Sequence, residues 1–147
     1  MVSKKYDAIE KLEMKGVKVH KLQKKEDKRG WVLKMIMNKD IKENKEFGEI
    51  YITTAYPGAI KGGHYHEYCT EWFCVIKGEG KLVLLNKKSN EKEEIMMGDN
   101  NMVVVEVPFD IIHAIKNVGK DMMYLVVYAD KEYNSVNPDT IPFDIDF

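Results

Sequence analysis

An all-β barrel or sandwich is the fold class this chain predicts, on three observations. Apolar and polar residues alternate over many short runs, turn residues recur between those runs, and only the first dozen residues carry a helical pattern. Many short strands at such spacing pack as two sheets or close on themselves. With 147 residues the chain reads as one domain, 1–147, whose core covers about residues 17–130.

Taken in order, residues 3–14 place Tyr6, Ile9 and Leu12 at three-residue spacing, a short helix stopped by Gly16. Residues 17–22 alternate as a first strand, and 26–30 form a charged turn. Residues 31–37 predict a second strand, followed by a charged connector over 38–46. Residues 47–56 continue the pattern up to the Pro57-Gly58 turn. After the polar stretch 64–71, strands are expected near 72–76, 82–85, 94–97, 102–107, 111–118 and 122–128, joined by Asn, Gly, Asp and Lys turns. The ending, 133–143, is apolar-rich but broken by proline, so it is expected to cross a barrel opening or pack on a partner subunit.

The charge balance excludes several functions. The chain holds 23 basic and 24 acidic residues, interspersed, so nothing predicts a nucleic-acid surface, an acidic tail or a membrane patch. No run reaches the roughly 20 apolar residues of a membrane span, and the charged N-terminus lacks a signal-peptide core. Cys69 and Cys74, the only cysteines, fit reduced thiols in a cytoplasmic protein better than a disulfide scaffold.

The chemistry concentrates in His64-Tyr65-His66-Glu67-Tyr68-Cys69-Thr70-Glu71. Residues i and i+2 of a strand share a face, so His64 and His66 can converge, while Glu71 opens the next apolar run. His113, alone among Ile111, Ile112, Ala114 and Ile115, offers a fourth ligand. Three imidazoles and one carboxylate suit a single divalent ion: zinc first, with manganese, iron or nickel also satisfied by these ligand types. An unpaired Glu71 inside a barrel would be costly, which strengthens the metal reading. His20 reads as an edge histidine, the nine methionines as core filler, and Cys74 as a small buried hydrophobe.

The spacing resembles the cupin superfamily. Gly58, five residues, His64-x-His66, four residues, Glu71, six residues and Gly78 match its first motif. Pro108, His113 and Asn117 match its second, with Asp110 standing where the motif has glycine and a longer interval than usual after Gly98. The resemblance implies a double-stranded β-helix, a jelly-roll barrel, here with a short N-terminal helix.

A finer resemblance is to sugar epimerases of the dTDP-4-dehydrorhamnose 3,5-epimerase type, through Gly63-His64-Tyr65 and Asp27-Lys28-Arg29-Gly30-Trp31. It implies a base role for His64, a phosphate-side cation at Lys61, and an acid tyrosine at Tyr133 or, as second choice, Tyr128. Two departures matter: that family's glutamine is His66 here, and its active-site lysine is Glu71, which together turn a metal-free base site into a metal site. A His64 that ligates an ion is not also the free base. The chain is similar over about residues 28–140 to the C-terminal cupin domain of bifunctional capsular-polysaccharide enzymes acting on UDP-linked 4-keto sugars. That similarity rests on Gly-x-His-Tyr-His, Thr70-Glu71 and Asn137-Pro138-Asp139-Thr140. It implies a metal-dependent epimerase or isomerase working next to the carbonyl of a nucleotide-linked keto-deoxy sugar in surface polysaccharide synthesis. It also implies a homodimer in which residues 17–22 pair with a second subunit. An iron oxygenase, a sugar-phosphate isomerase and a non-catalytic sugar-binding cupin remain as alternatives.

Overall fold

The computed structural model describes residues 14–41 and 46–147. The helix expected over 3–14 lies outside them except for Met14, which is buried. Among the described residues no helix is long and apolar enough to cross a membrane.

Among the described residues twelve strands follow one another: β1 (Lys18–Lys21), β2 (Lys25–Asp27), β3 (Gly30–Val32), β4 (Glu49–Ala55), β5 (Ile60–Tyr65), β6 (Glu71–Lys77), β7 (Glu79–Asn86), β8 (Lys92–Gly98), β9 (Val103–Val107), β10 (Ile111–Asn117), β11 (Met123–Ala129) and β12 (Ile141–Pro142). They build one sheet in the order β1-β9-β6-β11-β4 and a second in the order β12-β5-β10-β7-β8, with β2-β3 as a separate ribbon. From β4 to β11 the chain crosses between two antiparallel sheets at every connection except the β7-β8 hairpin, the strand order of a jelly roll. β1 pairs with β9 of the same chain, Val19 opposite Val105.

The pleat decides what each strand buries. On β6 the inward residues are Glu71, Phe73 and Val75; on β11 they are Met123, Leu125 and Val127; on β7, Leu82 and Leu84. These interlock with Ile95, Met97, Val105, Ile111 and Ile115 into one core. A second cluster, Trp72, Val104 and Tyr128, lies on the outer face of the first sheet and is covered by Leu22, Met35, Ile36 and Ile41.

Two sequence expectations change. The turn over 26–30 is a hairpin, β2 and β3, closed by Arg29, whose guanidinium donates to Asp27 at 2.6 Å. The strand expected over 31–37 stops at Val32, because Met35 and Ile36 are used to cover the Trp72 cluster rather than to pair. Elsewhere Asp110 keeps the geometry of the glycine it stands for, at φ 67, and its amide donates to the His66 carbonyl at 2.7 Å. Aspartate is among the few side chains that tolerate this left-handed conformation.

Candidate metal centre

His64 and His113 face each other directly across the β5-β10 ladder, and the register shifts immediately beyond them. Gly62 opposes Ala114, so Gly63 is the extra residue of a bulge, with φ 82. Such a bulge re-aims the next side chain. It turns His64 into the barrel, and two residues later His66 follows it, the ring centroids 5.0 Å apart. His113 lies 4.8 Å from His64 and 5.4 Å from His66 by ring centroid. Glu71 enters from the opposite sheet, opposite Ala129 and Val107.

The ligand atoms of His64, His66, Glu71 and His113 all lie within 4.8 Å of one another. Ligands on opposite sides of one ion stand about 4.2 Å apart, twice a bond of ~2.1 Å, so small side-chain adjustments close this set on a single cation. The tautomers also suit it. His66 Nδ1 donates to the Asp139 carbonyl, and His113 Nδ1 donates to the Ile111 carbonyl at 3.1 Å. A carbonyl only accepts, so each Nδ1 carries a proton, and both Nε2 atoms turn toward Glu71 Oε1, at 2.7 and 3.4 Å, where either a shared proton or a metal ion can sit. Ligating histidines are held this way, by a carbonyl on the far ring nitrogen. The residues fit a divalent ion.

Electrostatics in the metal-free protein follow from burial and crowding. Burial, with His113 and His66 beside it, pulls His64 down to about 4, so it is neutral near pH 7. Burial also opposes charge on His66, but the hydrogen bond and charge of Glu71 outweigh it and hold His66 above its ordinary value. Glu71 is buried too, yet hydrogen bonds from His113 and His66 hold it well below the usual carboxylate range. Burial and the Glu71 charge push the neighbouring Cys69 thiol up to about 12, and burial pushes Cys74 to about 11. In the metal-free protein both thiols are protonated, and neither belongs to the cluster of ligand atoms.

Sequence reasoning missed one member of the site. Tyr51 of β4 donates its hydroxyl to Glu71 Oε2 at 2.6 Å. Burial and the Glu71 charge push its phenol far above the ordinary range, so it serves as a donor. The signal in the sequence was its phase: Tyr51, Thr53 and Ala55 share one face of their strand, and Ala55 belongs to the core.

Two cavities flank the cluster and share Tyr51 and His64 as walls. The first, about 270 Å³, is roofed by the C-terminal segment through Tyr133, Asn134, Asn137, Asp139 and Thr140. The second, about 180 Å³, reaches Lys61 and Thr53 past apolar Phe73, Leu82, Ile115 and Leu125. Tyr133 and Lys61 therefore adjoin the cluster from opposite sides. Tyr128 does not. It alternates with inward Val127, and its ring stacks 5.2 Å from Trp72 and 5.5 Å from Phe47 on the outer face.

A family model described as the polysaccharide biosynthesis C-terminal domain matches residues 25–141. The chain belongs to that family. It is similar to UDP-2-acetamido-2,6-beta-L-arabino-hexul-4-ose reductase of Pseudomonas aeruginosa. The two are 34% identical over 114 residues, covering 78% of this chain and only 29% of that relative. It is also 29% identical to the spore coat polysaccharide biosynthesis protein SpsL of Bacillus subtilis, covering 88% of this chain and 89% of SpsL. A solved structure, the dTDP sugar isomerase of Desulfovibrio desulfuricans, superposes with a TM-score of 0.79 at 20% identity, covering 90% of this chain and 86% of that one. The fold is that of the cupin-type sugar epimerases.

The Asn137 to Thr140 ending, singled out in the sequence, has a structural use in this family member. Beyond the Asp139 carbonyl on His66, the Asp139 carboxylate accepts from the amides of Glu67 at 2.7 Å and Tyr68 at 2.9 Å. Ile141 and Pro142 then pair with Tyr65 and His64. The tail thus clamps the loop that carries His66. Asp139→Ala, which keeps the carbonyl but removes both carboxylate bonds, is expected to destabilise the protein by about 1 to 3 kcal/mol. It should also weaken metal binding severalfold, as read by thermal denaturation and chelator competition.

Proposed function

We propose that this chain is a metal-dependent epimerase or isomerase acting next to the carbonyl of a nucleotide-linked keto-deoxy sugar, in the synthesis of a surface polysaccharide. The observation that carries this reading is the convergence of His64, His66, Glu71 and His113 beside two cavities, with both Nδ1 protons parked on backbone carbonyls. A structural ion would not need an adjoining cleft. The relatives, one named as a reductase of a UDP-linked hexulose and one as a polysaccharide biosynthesis protein, support the substrate class.

Such a reaction breaks a C–H bond next to the carbonyl, places negative charge on the carbonyl oxygen, and re-forms the C–H bond on a chosen face. A divalent ion held by the four ligands would supply electrostatic stabilisation of that charge. The rest falls to the protein. Tyr133, on the wall of the larger cavity, is positioned to carry the proton, and its amide is tied to the Glu49 carboxylate at 3.1 Å. Lys61 meets the diphosphate. Among the described residues its cavity is lined by no carboxylate, whereas the larger one sets Glu49, Glu132 and Asp139 against the single cation Lys131, a balance less favourable to phosphate. Apolar Phe73, Leu82 and Ile115 suit a deoxy carbon rather than a hydroxylated one.

The test is solvent isotope uptake. Metal-loaded protein in deuterium oxide is expected to introduce deuterium beside the carbonyl of a 4-keto nucleotide sugar. Tyr133→Phe should slow this by roughly 10²- to 10⁴-fold without altering metal content. Absence of exchange across a panel of such sugars, with the metal bound, sinks the proposal.

A further inference from the structure

We propose that Tyr51 is a positioning residue for the metal centre, holding Glu71 Oε2 so that only Oε1 is presented to the imidazoles; this rests on the metal-binding reading above. The two oxygens of a carboxylate are chemically equivalent, and its terminal torsion is broad. Glu71 in a half-open cluster therefore has no intrinsic preference for which oxygen faces the histidines. The structure distinguishes them. Oε1 accepts from His66 Nε2 at 2.7 Å and lies 3.4 Å from His113 Nε2, while Oε2 takes the Tyr51 hydroxyl at 2.6 Å. That length is in the range of a charge-assisted O–H···O⁻ bond.

The sheet makes the contact possible. β4 and β6 both flank β11, so Tyr51 and Glu71 sit two strands apart. On β11, Val127 lies opposite Tyr51 and Ala129 opposite Glu71, so the phenol reaches Glu71 on a diagonal that passes Ala129. Its single methyl leaves the phenol room to lean across β11. Tyr51 also forms the shared wall of the two cavities, where 38% of its surface stays accessible, so the side chain is not a filler of the apolar core. The hydrogen bond is its tie to the site.

The experiment uses the full chain. Zinc affinity is measured by chelator competition, and the cobalt(II) absorption spectrum is recorded, for the wild type, Tyr51→Phe, Glu71→Gln and the double variant. Tyr51→Phe keeps the ring and is expected to fold cooperatively in the metal-free state, with a melting temperature lowered only by the lost hydrogen bond. Its zinc affinity should fall roughly 10- to 100-fold, the range for losing an outer partner of a ligand, and its cobalt spectrum should change. In the Glu71→Gln background the same substitution should have little further effect, because the anionic ligand that Tyr51 positions is already gone. Unchanged affinity and spectrum in Tyr51→Phe overturn the inference, even if activity is lost. An undiminished effect in the Glu71→Gln background overturns it too. A wild-type protein that binds neither ion overturns the metal reading, and the positioning role with it.

Discussion

Glu71→Gln is expected to lower divalent-metal affinity by more than roughly 100-fold and to remove the activity that depends on it. Losing only an outer partner of a ligand already costs 10- to 100-fold, and this change removes the cluster's one anionic ligand. The amide still accepts from Tyr51, so the shape of the site survives while its charge is lost. The pH dependence of the metal-free protein changes as well. Glu71 has a folded-state value depressed below 4.5, so its contribution to stability is fully present above that value and is lost as the pH falls toward the folded one. Acid titration of the metal-free wild type by thermal denaturation should show this loss, and Glu71→Gln should not. A glutamine variant that purifies with a full complement of metal would show that Glu71 is a packing residue.

Gly62→Val is expected to damage both fold and site. A Cβ at Gly62 would meet the His113 carbonyl at 2.9 Å and the Ala114 Cα at 3.1 Å, both backbone atoms that cannot step aside. Its φ of 90 is moreover a conformation that β-branched side chains avoid. The bulge that aims His64 at His113 would have to open. A loss of at least about 2 kcal/mol is expected from strain and displaced ladder bonds together, with metal binding falling in parallel. Denaturant unfolding and zinc titration check this; unchanged values in both would mean that the bulge does not aim His64.

How much of this was legible in the sequence depends on whether a residue's phase was visible. His64 and His66 were found because a two-residue spacing survives translation into a strand, and Glu71 because it interrupts an apolar run. His113 was legible only as a polar exception. Its direct pairing with His64 is a long-range register that no local pattern encodes. The stretch 122–128 has no polar residue to mark its inward face apart from two tyrosines, so Tyr128 could not be assigned to the outer cluster beforehand. The strand expected over 31–37 failed because Met35 and Ile36 bury themselves without pairing. Tyr51 went unnoticed because its partner lies two strands away in space and twenty residues away in the chain. Contacts made across strands between residues distant in the chain were the ones hidden.

The most direct test is anomalous diffraction from crystals of protein purified without chelators, collected on both sides of the zinc absorption edge. One ion per chain is predicted, at about 2.0 to 2.2 Å from a nitrogen of His64, His66 and His113 and from Glu71 Oε1. Density for an ion elsewhere, or crystals grown with excess zinc in which the Glu71–His66 hydrogen bond persists with no ion beside it, would contradict the account.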